Sequence, residues 1–451
     1  MTYITRPYAV MAVPDPDMIG EQRAQGECAL YVIAAHLFLT CMFGQSYGKL
    51  KLPIGPVYAT EVALGVAVVL SLHLVSLIQW DRISKLVLCF CGLGVGWVVW
   101  AGLGPAGGAG TKAFSFFVYG GFYFLVRGVA TDSRKRWLLL RATMFGVAGA
   151  AIVGFWNLQT GVGFPTSTGS LRWLPGEYAL YSIFGAAIVI VVALAQRTLG
   201  TSERLVLLAA LVVQVLAQHR SGFVAAGVAT LGTTAVVAGS ARSLTTAAKL
   251  GALAIGIAAV VLWLFGHSYV AETIDRIEHT TDLSDGTVGW RLLSWYEVGT
   301  GVINQPIGHG FAVWDFLFTW KDPLIGSHNS LLDLTYRVGV PGLILFLSMP
   351  LTIFLGARRI FRVEGLAKQP ILVVAIACLL GFLGFAFFNV VLETPYMSVF
   401  FWVFLGIGAG ALHDARASID ALGAGEERGG HEELPQRQES EARVVAGIAA
   451  K

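Results

Sequence analysis

Charge is what this chain has least of. Only 13% of its 451 residues are Asp, Glu, Lys or Arg, against about 25% in an ordinary soluble domain. That shortage, with 55% hydrophobic residues, excludes a soluble globular protein and leaves an integral membrane protein. The net charge of +3 is too small to argue for a nucleic-acid partner. The five cysteines (Cys28, Cys41, Cys89, Cys91 and Cys378) form no CxxC pair. They are expected to be small buried hydrophobes, not disulfides or metal ligands. HExxH and paired-carboxylate motifs are missing, and the one DxD, Asp15-Pro16-Asp17, lies in the N-terminal tail. Neither a metal nor another cofactor is therefore expected. No cleavable signal peptide is visible in residues 1–27, so the first span is expected to serve as an uncleaved signal.

What the chain does have is long apolar runs. A helix needs about 20 apolar residues to cross a bilayer. Twelve candidates meet that need: 28–47, 57–78, 84–103, 112–130, 137–156, 175–195, 203–218, 221–239, 247–266, 330–356, 371–392 and 394–412. Only Gln218-His219-Arg220 divides the seventh from the eighth. The tenth is interrupted by Gly339 and Pro341, which predicts two pieces and freed backbone groups in need of partners. Gly92-Leu93-Gly94-Val95-Gly96 and Gly406-Ile407-Gly408-Ala409-Gly410 predict close helix packing.

The expected fold is all-α and polytopic. A cytoplasmic tail (1–27) precedes nine spans (28–266). A large outer loop region (267–329), three more spans (330–412) and a disordered cytoplasmic tail (413–451) follow. Lys and Arg orient it. With the N-terminus inside, the inner loops hold clusters such as Arg134-Lys135-Arg136 and Arg358, Arg359, Arg362 and Lys368. The short outer loops hold only Lys49, Lys51, Lys112, Arg172 and Arg220. Both termini then lie in the cytoplasm and residues 267–328 outside the cell membrane.

That polar break carries the candidate chemistry. His328 directly precedes Asn329-Ser330, where a helix should begin with Asn or Ser as its cap. A fixed imidazole there could act as a general base for a hydroxyl, or could simply pack the helix start. Arg220 interrupts apolar sequence, which is costly unless it meets water, an anion or a partner, or snorkels. Arg291 lies between Trp290 and Trp295, a pattern that suits a sugar-binding surface or an interfacial helix. Arg337 and His309 are additional candidates, as are Trp295 and Asn329. Guanidinium groups bind phosphate oxygens bidentately and can neutralise a departing diphosphate.

The order of these pieces resembles the O-antigen ligase and O-antigen or exopolysaccharide polymerase superfamily. Gln218-His219-Arg220-Ser221-Gly222 is similar to that family's Ser-Arg-Gly-like junction, with His219 in place of the usual serine. Arg291, Trp295 and Pro306-Ile307-Gly308-His309-Gly310 resemble its arginine, tryptophan and Pro-x-Gly-x-Gly run. His328-Asn329-Ser330 with Gly339-Val340-Pro341-Gly342 resembles its His-Asn stretch and glycine turn. The resemblance implies a membrane glycosyltransferase of GT-C-like fold in the bacterial inner membrane. It implies an inverting, metal-independent transfer from an undecaprenyl-pyrophosphate-linked oligosaccharide to a glycan or lipid A-core acceptor. Membrane lipids and a chain-length regulator or other polysaccharide assembly proteins are the further partners implied. Arg220 and Arg291 would bind pyrophosphate, and His328 would be catalytic. Two other readings stay open. A transporter or lipid-linked oligosaccharide flippase would use Glu61, Arg141 and the broken span. A carboxylate-dependent lipid-linked polymerase would use Asp282, Asp285 or Asp315.

Overall fold

The computed structural model describes residues 16–50, 57–78, 80–101, 115–165, 171–196, 200–217, 219–237, 286–311, 327–364 and 369–432. Within them the protein is helical, apart from one antiparallel pairing of Phe164–Pro165 (β1) with Leu171–Arg172 (β2). The helices are α1 (Pro16–Gly48), α2 (Ala59–Ser71, continued by a 3-10 turn, Leu72–Leu77), α3 (Arg82–Ala101), α4 (Gly121–Val129), α5 (Ser133–Thr160) and α6 (Tyr178–Gln196). They continue with α7 (Thr201–Ala217), α8 (Arg220–Val237), α9 (Gly286–Asn304), α10 (Ser330–Glu364), α11 (Pro370–Ala386) and α12 (Pro395–Glu432). Among the described residues, five helical stretches are long and apolar enough to cross a membrane: Ala24–Gly48, Arg82–Trp100, Ser133–Thr160, Ser330–Val363 and Pro395–Ala421. Five shorter apolar helices accompany them. The ninth candidate span, 247–266, lies outside the described residues.

Helix α12 is the core of the bundle: 94% of its most apolar window is buried. Trp402 is fully buried and packs against Phe90 and Phe401. Its glycines permit this. A Cβ on Gly406 would lie 3.0 Å from Val126, one on Gly408 3.1 Å from Ile353, and one on Gly410 2.8 Å from Arg136. The other small-residue run behaves differently. Gly94 abuts Phe117, but Gly92 and Gly96 face open space. Cys28 and Cys89 are exposed instead of buried, because they lie on outward faces of α1 and α3, where an apolar side chain suits lipid as well as core. Helices α7 and α8 are separate, as their partners show: α7 packs on α5 and α6, and α8 on α11.

Three elements extend into stretches expected to be tail or loop. Helix α1 begins at Pro16, inside the expected N-terminal tail 1–27. Helix α9 occupies 286–304 within the polar break. Its inward residues follow the helical repeat, with Arg291 and Trp295 half-buried and Ser294 and Val298 buried, while Leu292, Leu293, Tyr296 and Ile303 are exposed. Helix α12 continues past residue 412 to Glu432.

The two ends of the bundle are built differently. At one end Arg136, 3% exposed, donates to the carbonyls of Ala130 and Thr131 and pairs with Asp414 at 2.6 Å. Arg127 pairs with Asp81 nearby. At the other end, connections far apart in sequence are bonded together. Gln45 N donates to Glu177 Oε1, Ser115 Oγ to the Glu393 carbonyl, Trp173 N to the Leu216 carbonyl and Ser330 N to the Asn389 carbonyl. Every candidate site residue in the described part lies at this second end.

The expected break in the tenth span is present. Gly339 has φ 74° inside α10. The freed backbone groups find partners in residues 305–311: His309 N donates to the Tyr336 carbonyl, Gly310 N to the Arg337 carbonyl, and Val340 N to the Pro306 carbonyl, each at 2.8 Å. Gly308 (φ 110°) and Gly339 sit face to face, and a Cβ on Gly308 would lie 2.5 Å from Gly339 N. A Cβ on Gly339 would overlap the Ile307 carbonyl. Gly339→Ala should therefore lower stability by about 1–3 kcal/mol from the positive-φ backbone alone, and by more from the overlap. Gly299→Ala, in open helical space, should be neutral or stabilising by roughly 0.5–1 kcal/mol. Thermal unfolding of both variants in detergent checks this; equal midpoints would refute the account.

Candidate functional site

The site is assembled from four connections at one end of the bundle. The first is the α7–α8 junction. Asn389 Nδ2 donates to the Phe385 carbonyl (3.0 Å) and to Ser221 Oγ (2.6 Å), and Ser221 Oγ lies 2.5 Å from His219 Nδ1. The His219 ring rests on Phe385 with centroids 5.4 Å apart. Arg220 is the first residue of α8, so it stands at the break and not within a span. Its side chain lies outside the described residues.

The second is α9 with the loop that follows it. Trp295 Nε1 donates to the Ser327 carbonyl at 2.9 Å, and its ring packs on Phe387 at 5.4 Å and Phe388 at 6.1 Å. Trp295 thus fixes α9, and Arg291 one turn before it, against the start of α10 and the end of α11. His309 stacks on Tyr336 with centroids 4.1 Å apart, and its Nε2 lies 3.0 Å from the Gly301 carbonyl. That carbonyl can only accept, so Nε2 carries the proton. His309 is thereby committed to holding the loop against α10.

The third is the start of α10. Asn329 Oδ1 accepts from Leu331 N and Leu332 N, both at 3.1 Å, and caps the helix as its side-chain chemistry predicts. Ser330 Oγ donates to the Asn389 carbonyl and accepts from Val391 N. Ser327 Oγ donates to Asp333 Oδ1 at 2.6 Å. These bonds hold His328 at φ 53°, the only positive φ outside glycine among the described residues. Such backbone strain, of order 1–3 kcal/mol, persists where surrounding structure over-determines it and is common at functional sites.

The fourth is the connection after α11. Glu393, 8% exposed, lies 3.8 Å from Arg337, 2% exposed, and both neighbour Asp333, which is fully buried. Arg337 is therefore the cation of a buried carboxylate cluster, not a side chain open to a cavity.

Electrostatics show which of these groups meet. His219 is pushed down to about 3 by burial, then by the positive charges of Arg172 and Arg291 and by His328. His328 is lowered to about 4 by burial and then by Arg291. Arg291, Arg172, His219 and His328 therefore share one neighbourhood, and both imidazoles are neutral at neutral pH. Arg172 and His219 join the sequence candidates here. Arg172 carried the same signal as Arg220, a cation in a short outer loop. Asn389 and Glu393 had no local signal at all.

Residues 205–347 match the protein-family model described as O-Antigen ligase. The matched stretch runs from α7 into α10 and contains Arg220, Arg291, His309, His328 and Arg337. It supports the O-antigen ligase and polymerase superfamily, and with the apolar helices it suggests a membrane glycosyltransferase of that type in the inner membrane. No match was found among curated proteins.

The lowered imidazoles have a consequence for stability. Below the ordinary imidazole value of 6.5 the unfolded chain binds protons that His219 and His328 in the folded protein resist. Stability should therefore fall as pH drops from about 6.5 through the folded value of about 4 for His328. Thermal midpoints in detergent across that range should decline less steeply for His328→Asn, which does not titrate. Identical slopes would show that His328 is not held neutral.

Proposed function

We propose that the protein is an inverting glycosyltransferase that moves or polymerises an undecaprenyl-pyrophosphate-linked glycan onto a sugar acceptor at the periplasmic face. The observation that carries this reading is the convergence of guanidinium groups and two neutral imidazoles at one end of an apolar bundle. The match of residues 205–347 to the O-antigen ligase model supports it. On this reading the twelve-span, N-in and C-in arrangement holds, and the bundle end that carries the site faces outward.

Arg220 and Arg291 hold the diphosphate of a donor whose lipid tail lies in the outer leaflet. Their charges offset the negative charge that develops as the carrier leaves. His328 accepts the proton of the acceptor hydroxyl, whose oxygen attacks the anomeric carbon. The bond from that carbon to the diphosphate oxygen breaks with inversion, and undecaprenyl pyrophosphate departs. An imidazole held near 4 by burial and then by Arg291 is a weak base, and the entering diphosphate offsets the second of these, the field of Arg291. Proton affinity at His328 therefore rises when donor binds. Trp295 and Asn329 position Arg291 and His328 and need not touch substrate. Chain growth on the polyprenyl carrier would mark a polymerase; transfer to lipid A core would mark a ligase.

The transporter alternative rested on Glu61, Arg141 and the broken span. Glu61 accepts from Tyr58 N at the start of α2 and from the Tyr119 hydroxyl, and Arg141 lies on an exposed face of α5. For the carboxylate alternative, Asp282, Asp285 and Asp315 lie outside the described residues.

Purified protein given a polyprenyl-pyrophosphate glycan and an acceptor should release carrier. Arg291→Ala and His328→Asn, the latter chosen because Asn tolerates left-handed backbone, should each lower the rate by about 100-fold or more. Wild-type rates in both variants would sink the proposal.

A further inference from the structure

We propose that His219 and Arg172 form a second half of the diphosphate-binding site, with His219 donating its Nε2–H to a phosphate oxygen and Arg172 supplying charge. The inference rests on the glycosyltransferase reading above and adds two binding residues to it.

The hydrogen-bond chain at His219 accommodates an Nε2–H tautomer. The Phe385 carbonyl can only accept, so it orients the Asn389 amide with Nδ2 toward it. The second Nδ2 hydrogen then goes to Ser221 Oγ, 2.6 Å away. The Ser221 hydroxyl proton is free to turn and is assigned here to His219 Nδ1. Nδ1 is an acceptor, and the single proton of the neutral ring sits on Nε2. A neutral ring whose Nδ1 accepts from Ser221 keeps an Nε2–H to give to another acceptor. The Nε2 edge borders Gly176, where a Cβ would come within 2.8 Å of Nε2. Only glycine lets the ring sit this close to the backbone at residue 176, and His219 keeps partial exposure at the end of the bundle.

Arg172 is anchored beside it. It pairs with Phe164 in the hairpin. The next two residues, Trp173 and Leu174, both donate to the Leu216 carbonyl at 3.3 Å, and Asn157 Nδ2 donates to the Trp173 carbonyl at 3.0 Å. Leu216 lies one turn before His219, so the hairpin and the α7–α8 junction move as one piece. The positive charges of Arg172 and Arg291 both act on His219. A neutral N–H donor within the field of two guanidinium groups suits a multivalent oxyanion with several acceptor oxygens. A diphosphate meets that description better than an uncharged sugar, because each added hydrogen bond to a charged oxygen is strengthened by the charge.

The test uses full-length protein in detergent, inorganic pyrophosphate as the probe for binding, and the lipid-linked donor for kinetics. His219→Leu and Arg172→Gln should each weaken pyrophosphate binding by about 10-fold, the worth of one charge-assisted hydrogen bond. KM for the donor should rise while kcat stays within about two-fold. His219→Gln, which retains an N–H at similar reach, should bind close to wild type. Ser221→Ala removes the bond to Nδ1 and should weaken binding in the same direction. It keeps the test alive if the leucine variant does not fold. Arg291→Ala is the reference. If it loses binding while the His219, Ser221 and Arg172 variants match wild type, the inference falls and the glycosyltransferase reading stands. If the glutamine and leucine variants bind equally poorly, the Nε2–H role is refuted. If Arg291→Ala also binds normally, the reading itself fails and takes the inference with it.

Discussion

Backbone polar groups at the depth of a bilayer must find partners inside the protein, and the architecture of this chain follows from how it meets that demand at one point. Helix α10 breaks at Gly339, which exposes the Tyr336 and Arg337 carbonyls and the Val340 N–H. Residues 306–310 close the gap by pairing with all three. This pairing brings the loop after α9 against α10. It therefore decides where α9 lies, and with it where Arg291 and Trp295 lie. Trp295 reaches across to the Ser327 carbonyl, which fixes the approach to His328. A break that costs helical hydrogen bonds thus becomes the joint on which the candidate site is assembled.

The same joint explains the glycines. Two backbones that meet within hydrogen-bonding distance at positive φ leave no room for a Cβ on either side. The Pro-x-Gly-x-Gly and Gly-x-Pro-Gly stretches are therefore two halves of one contact. His309, embedded in the first, is spent on Tyr336 and Gly301, so its imidazole is structural. Arg337, embedded beside the second, is spent on buried carboxylates. The side chains that remain for chemistry come from positions flanking the joint.

Much of the fold was legible because membrane spans announce themselves by composition over some twenty residues. Helices α3, α6, α7 and α8 fall within about three residues of the expected spans, whereas α1 begins earlier, α4 is shorter and α10 and α12 run on further; the break at Gly339 and the Asn329 cap both followed from local backbone chemistry. Helix α9 was less legible: its inward Arg291, Trp295 and Val298 alternate with exposed leucines, so its mean composition resembles a polar loop. The site was legible where a motif kept its residues close in sequence, as with His328-Asn329-Ser330. It was not legible where partners lie far apart. Nothing near Asn389 announces that its amide orients His219 through Ser221, 168 positions away. Arg172 went unweighted because a single cation in a short loop looks like any other until folding brings it to a histidine.

The opposite end of the bundle is closed by different means. Arg136 is buried, but its partner Asp414 keeps 45% of its side chain in solvent. An attraction of that kind is weakened by dissolved ions, whereas the amide, hydroxyl and carbonyl contacts around Asn389 involve no net charge and are indifferent to them. Dissolved ions therefore loosen the half-exposed α5–α12 clasp, while the glycine joint, held by neutral backbone hydrogen bonds, stays as it is.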